Sequence, residues 1–187
     1  VTEGLLKEFG SRRVVDTPLS EATFTGAAVG AALVGMRPIV EILFVDFTAL
    51  VMDQLINQAA KYEFMSGGQG KVPMVLRTQG GAGNGLAGQH SQSLEAIYYH
   101  IPGLKLVMPS TPYDAKGLIK TALRSDNPVW FIEHRGVLAS KGPVPEEEYL
   151  IPCGQASIAR EGSDVTVVAI AFMVKRAIEV SKQLAGE

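Results

Sequence analysis

The chain has 187 residues, enough for one domain with a sizeable core and part of a second. Seventeen Lys and Arg against 19 Asp and Glu leave a formal charge of −2, so no field argues for nucleic acid or an anionic membrane. Hydrophobic residues make up 47% and charged ones 19%, an apolar balance that suits a surface largely covered by partners.

In chain order, residues 1–13 read as a short helix around Leu5 and Phe9 closed by Gly10, and residues 13–16 as a short strand. Pro18 then makes a turn, Ser20 stands as a helix N-cap candidate, and Glu21 falls in the first turn. The helix that follows carries Gly26, Ala27, Gly30, Ala31 and Gly35 at three- and four-residue spacing. Each interior Gly costs about 0.5–1 kcal/mol relative to Ala, so such a helix gains by letting a backbone or ligand approach closely. Residues 38–44 read as a strand. Residues 47–64 read as one continuous helix with Leu50, Met52, Leu55, Ile56, Ala59, Ala60 and Phe64 on its apolar face, stopped by Gly67 and Gly68. Residues 72–77 are a strand, 80–88 a polar glycine loop, and 94–99 a helix. A strand at 104–108, a helix at 111–123 with Pro112 in its first turn, and a strand at 128–133 complete the series. This alternation predicts an α/β fold, a mainly parallel sheet with helices on both faces.

Residues 142–148 are rich in Pro and acid without helical or strand period, and the linker is set at 136–152. A strand at 165–171 and a helix at 174–184 then read as the start of a second α/β domain over 153–187. The first domain spans 1–135. The chain opens at Val1 without Met and stops inside a β-α unit, so it reads as a piece of a longer protein. Cys153 is the lone cysteine, which excludes an intrachain disulfide and fits a reducing compartment. No apolar run reaches the ~20 residues of a membrane-spanning helix.

Two side chains could carry chemistry. Glu21 is either an acid complementing a helix dipole or a carboxylate held on a rigid helix start, and spacing leaves both open. His90 ends the glycine loop among Gln89, Ser91 and Gln92, where a ligand could approach; a mobile surface loop is the plainer reading. That loop lacks the Lys-Ser/Thr pair of a triphosphate loop and the downstream acid of a dinucleotide fingerprint. His100 and His134 have ordinary places at a helix end and a strand end, and the three histidines show no metal-ligand spacing.

Several motifs, taken together, are more specific: Asp16-Thr-Pro-Leu-Ser-Glu21, Val51-Met-Asp-Gln54, Asn57-Gln-Ala-Ala-Lys61, Met65-Ser-Gly-Gly68, Gln89-His-Ser-Gln-Ser93, Pro102-Gly-Leu-Lys105, Asp114-Ala-Lys-Gly117 and Asp126-Asn-Pro128. In this order and with these gaps, the chain resembles the beta subunit of the thiamine-diphosphate-dependent first component of 2-oxo acid dehydrogenase complexes, whether for pyruvate, branched-chain 2-oxo acids or acetoin. The resemblance implies a pyrimidine-binding domain over residues 1–135. It implies that Glu21 hydrogen-bonds the ring nitrogen of the cofactor's aminopyrimidine and so favours the imino tautomer that takes the thiazolium proton. Leu19, Leu43 and Phe47 match positions that line or stack on the pyrimidine, with a core role as the alternative for each. His90 matches a histidine that faces the substrate and the acceptor lipoyl group.

The resemblance also implies a monovalent cation, potassium, held by carbonyls near Met74, Ala122, Leu123, Ser125 and Asn127. Family members usually carry Asp at the position of Ser125, and Leu-Tyr where this chain has Val137-Leu138. The family's element for magnesium and the diphosphate has no counterpart here, which assigns both to a partner alpha subunit. The expected assembly is two alpha and two beta chains serving a lipoyl-bearing second component, in bacterial cytoplasm or the mitochondrial matrix, with the isolated chain inactive. The competing readings are a single-chain transketolase-like enzyme and a truncated, non-catalytic binding module.

Overall fold

The computed structural model describes residues 2–83 and 85–185. Val1, Asn84, Gly186 and Glu187, which fall in the first expected helix, the glycine loop and the chain end, lie outside them. Four strands, β1 (Ile39–Ile42), β2 (Val75–Gly80), β3 (Lys105–Val107) and β4 (Val129–His134), form one all-parallel sheet in the order β1-β2-β4-β3. Register pairs Val40 with Leu76, Leu76 with Trp130 and Leu106 with Trp130. The expected parallel α/β architecture is therefore present, and both faces of the sheet are covered.

The first helix, α1, is the short Leu5–Phe9, and on one face of the sheet Val40, Ile42, Leu76, Trp130 and Ile132 pack with helix α2 (Glu21–Leu33) and with the chain from Val45 to Ala59. The sides α2 buries, Thr25, Ala28, Val29 and Ala32, recur at helical spacing. Trp130, fully buried, donates Nε1–H to Thr78 Oγ1 (2.8 Å), and its ring meets Tyr98 edge-on at 4.0 Å. Tyr98 in turn donates its hydroxyl to the Thr48 carbonyl (2.7 Å), so both buried polar handles are satisfied. On the other face Val75, Val107, Val129 and Phe131 pack against Leu118, Ile119 and Ala122. These come from the helix Pro112–Arg124, which starts with a reciprocal cap between Thr111 and Asp114.

Three expectations give way. The helix over 47–64 is instead a 3-10 segment (Val45–Val51), a π-helical segment (Gln54–Ala59, with Ala60 N–H donating to Leu55 O) and a short α-turn (Tyr62–Met65). As a result Leu50 and Phe64 point outward, 56% and 88% exposed. Residues 13–16 and 165–171 do not form strands, because no neighbouring strand offers them a ladder among the described residues; Val165, Val167 and Val168 stand exposed. The closing helix runs Phe172–Leu184.

Residues 145–151, expected to be linker, lie seamed along the Pro112–Arg124 helix. Lys116 Nζ donates to the carbonyls of Pro145, Glu146 (3.0 Å) and Glu147 (3.1 Å). Tyr149 stacks on Tyr113 at 4.4 Å and donates its hydroxyl to the Tyr113 carbonyl, and Thr121 Oγ1 donates to Ile151 O (2.7 Å). Gly117 makes room for this seam, since a Cβ there would lie 2.6 Å from Ile151 and 2.7 Å from Tyr149.

Candidate functional site

Three strands deliver their carboxyl ends to one edge of the sheet. β1 runs into Leu43 and Phe44, β2 into the glycine loop that ends at His90, and β4 into Arg135. The 3-10 segment after Phe44 turns the chain at once, with Phe47 N–H donating to Phe44 O (3.1 Å), and sets the two rings edge to face at 6.1 Å. His90 sits against both: its imidazole is 4.4 Å from Phe44 and 5.4 Å from Phe47, near perpendicular to each. The Arg135 guanidinium covers Phe44 at 5.3 Å and donates to Gln79 Oε1 (3.2 Å).

The glycine loop is anchored rather than loose. Gly81 N–H donates to Gln92 O (3.0 Å), Leu86 N–H to Ser91 Oγ (3.0 Å), Ala82 N–H to Ser93 Oγ (3.4 Å), and Gln92 N–H to Asp46 Oδ1 (3.3 Å). Gly81, at φ +101°, is required twice over, because a Cβ there would stand 2.2 Å from the His134 ring. His134 itself faces inward. Its Nδ1 accepts from Gly136 N–H (3.0 Å), its ring stacks on Phe172 at 5.2 Å, and burial pulls its pKa below the usual histidine value. His100, exposed, closes the short helix Glu95–Tyr99.

Glu21 opens α2, half-buried, and among the described residues no hydrogen bond or ion pair holds its carboxylate. Ser20 does not cap the helix; its hydroxyl donates to Pro18 O (3.3 Å), so Glu21 supplies the acid at that helix start. Leu19 is 95% and Leu43 59% exposed, with Phe47 half-buried, so neither leucine serves the core. The structure joins Phe47 to His90, and Leu43 directly precedes Phe44, the other ring against that imidazole. Leu19 and Glu21 lie at the amino end of α2, which packs along the 3-10 and π segments. Among the described residues, a Cβ placed on Gly26 would meet only Gln54 Cγ, at an ordinary 3.8 Å, and one placed on Gly30 would meet nothing within 4 Å.

Sequence reasoning passed over Asp46 and Gln54. Among the described residues, Asp46 Oδ2 and Gln54 Oε1 are buried without a hydrogen-bond partner, Asp46 on the 3-10 segment that carries Phe47 and Gln54 on the π segment that follows it. The one signal was polar residues set among buried apolar ones, Asp46 after Val45 and Gln54 before Leu55.

Four of the five carbonyls expected to hold potassium, those of Met74, Ala122, Leu123 and Ser125, already accept a hydrogen bond. Met74 O accepts from Val129 N–H (2.9 Å) and Ala122 O from Ser125 N–H (3.1 Å). Arg37 Nη1 donates to both Leu123 O (3.2 Å) and Ser125 O (2.9 Å). Asn127 Nδ2 donates to Glu63 Oε2 (2.7 Å), and Lys105 Nζ donates to Ser125 Oγ (3.2 Å). Asp126 neighbours this group, paired with Arg37 (2.7 Å) and Lys71 (3.0 Å). Lys71 and then Arg37 hold its carboxyl below the usual range, and Asp126 raises the Lys71 ammonium. A potassium ion at this turn would have to share Leu123 O and Ser125 O with the Arg37 guanidinium.

Comparison with known proteins adds the family. Residues 1–141 match the model of the transketolase pyrimidine binding domain. The chain is similar to the beta subunit of acetoin:2,6-dichlorophenolindophenol oxidoreductase of Cupriavidus necator, 51% identical over the whole chain and 55% of that protein. It is similar to the beta subunit of the pyruvate dehydrogenase E1 component of Rickettsia felis, 48% identical over the whole chain and 57% of that protein. The 2-oxoisovalerate dehydrogenase beta subunit of Bacillus subtilis is 47% identical over 98% of this chain and 56% of its own length. The chain thus spans about half the length of the curated relatives it matches. A solved split-gene transketolase, an inactive beta4 tetramer, shares the fold with TM-score 0.78 at 21% identity, covering 99% of this chain and 57% of its own.

Proposed function

This chain belongs to the family of transketolase pyrimidine-binding domains, and we propose that it forms the pyrimidine-binding half of a thiamine-diphosphate site in a 2-oxo acid or acetoin dehydrogenase beta subunit. The observation that carries the reading is the Glu21 carboxylate, half-buried at the start of a thirteen-residue helix and left without a partner of its own. Thiamine diphosphate, when bound, supplies the carbon nucleophile and electron sink that decarboxylation of a 2-oxo acid or cleavage of acetoin requires.

Each of the chain's own residues has a part. Glu21 hydrogen-bonds the pyrimidine ring nitrogen, and the rigid helix start keeps that bond aligned. Leu19, Leu43 and Phe47 offer apolar surface to a flat ring, and the exposure of both leucines supports that use. His90, wedged against Phe44 and Phe47, presents an imidazole that can donate and accept hydrogen bonds to the substrate or the arriving lipoyl group. Magnesium and the diphosphate fall to an alpha subunit, two alpha and two beta chains assemble, and a lipoyl-bearing component takes the acyl group. The chain alone is then inactive. The exposed free thiol of Cys153 suits a reducing compartment, bacterial cytoplasm or mitochondrial matrix.

The test is Glu21→Gln in the complex reconstituted with its alpha subunit. Loss of decarboxylation by about 10²-fold or more, with assembly intact, is expected. Unchanged turnover removes Glu21 from the mechanism.

A further inference from the structure

We propose that Arg37 is the resident cation of the turn that follows the Pro112–Arg124 helix, and that this chain takes no potassium there. A helix carboxyl end exposes carbonyls whose partial negative charge attracts a cation, whether an ion or a side chain. Here the guanidinium supplies three contacts at once. Nη1 donates to Leu123 O and Ser125 O, and Nη2 pairs with Asp126. The planar fork suits this, because it can bridge two carbonyls and a carboxylate that lie near one another.

The surroundings point the same way. Of the three remaining expected carbonyls, that of Met74 accepts from Val129 N–H in the β2–β4 ladder and that of Ala122 from Ser125 N–H at the helix end. The expected Asn127 amide is turned to Glu63, and the side chain at 125 is a neutral hydroxyl that already accepts from Lys105 and from Asn127 N–H. A potassium ion would therefore meet no carboxylate at position 125 and two positively charged groups on the same residue. Arg37 reaches this turn from the segment between α2 and β1, so it ties the edge of the sheet that follows α2 to the far end of the second helical layer. The inference stands on these contacts and not on the thiamine-diphosphate reading, since its readout is folding stability.

The experiment compares thermal unfolding of the full-length protein, in its native assembly, in potassium chloride and in tetramethylammonium chloride at equal ionic strength. Wild type should unfold at the same temperature in both. A saturable rise specific to potassium overturns the proposal. Arg37→Gln should unfold at lower temperature and recover part of the loss in potassium but not in tetramethylammonium, because the carbonyls are then open to an ion. A folded Arg37→Gln protein indifferent to potassium overturns the assignment of Arg37 as the cation in that place. Should Arg37→Gln not fold, the wild-type comparison still decides.

Discussion

The carboxyl edge of the sheet, which presents Phe44, His90 and Arg135, is braced by a charge ladder across three strands. Arg77 on β2, 14% exposed, contacts Glu41 on β1 (3.0 Å). Its other nitrogen stands 2.5 Å from Glu133 Oε2 on β4, an ion pair without hydrogen-bond geometry, and Glu133 is 16% exposed. Arg77→Met removes the cation and leaves Glu133 nearly buried and uncompensated. Breaking a fully buried pair costs 3–5 kcal/mol, so with this residual exposure about 2–3 kcal/mol is expected. For a protein of this size that lowers Tm by about 5–10 °C. Replacing both partners, Arg77→Met with Glu133→Leu, should return stability to within about 1 kcal/mol of wild type, since apolar packing often equals a buried ion pair. Urea unfolding of wild type, both single variants and the double variant gives the coupling directly. A loss in Arg77→Met below about 0.5 kcal/mol, or strict additivity across the cycle, would refute the claim that this ladder holds the site edge.

His90→Ala in the reconstituted complex should slow acyl transfer by about 10²-fold while cofactor affinity changes little. Rapid-mixing assays with a lipoyl acceptor, beside a cofactor titration, separate the two effects. Stability should also fall on acidification through His134. Its folded pKa lies below the unfolded value, so the unfolded chain binds the proton first, and the contribution present above about pH 6.5 is lost as pH drops below it. Protonation at Nδ1 would also end the bond from Gly136 N–H. Denaturant midpoints of wild type and His134→Asn should converge toward acid pH; parallel curves would show that His134 contributes nothing to the slope.

The sequence told most where local chemistry and tertiary packing agree. The helix from Pro112 to Arg124 was legible because Thr111, Pro112 and Asp114 write its start in neighbouring residues, and β4 because Val129, Trp130, Phe131 and Ile132 are buried together. The helical period at 47–64 did not separate α from 3-10 and π turns, because those differ by fractions of a residue per turn. The contacts associated with the break are non-local. Thr48 O accepts from Tyr98, fifty residues on, and Gln92 N–H reaches back to Asp46. The valines at 165–168 illustrate the converse, since strand character cannot be expressed without a neighbour to bond. Glu21 and His90 stood out as candidates by position and received their roles from the family motifs; the geometry adds that, among the described residues, the carboxylate is unpartnered and the imidazole packs against two phenylalanine rings.

The segment stitched along the flank of the Pro112–Arg124 helix sets the point of departure for the rest of the polypeptide. With Lys116 gripping three successive carbonyls and Thr121 fastening Ile151, the polypeptide is held against this helix as far as residue 151. The residues that follow therefore leave from a rigid shoulder and return at Phe172 against His134, so their excursion is fixed at both ends and is not set by all seventeen residues of the expected linker.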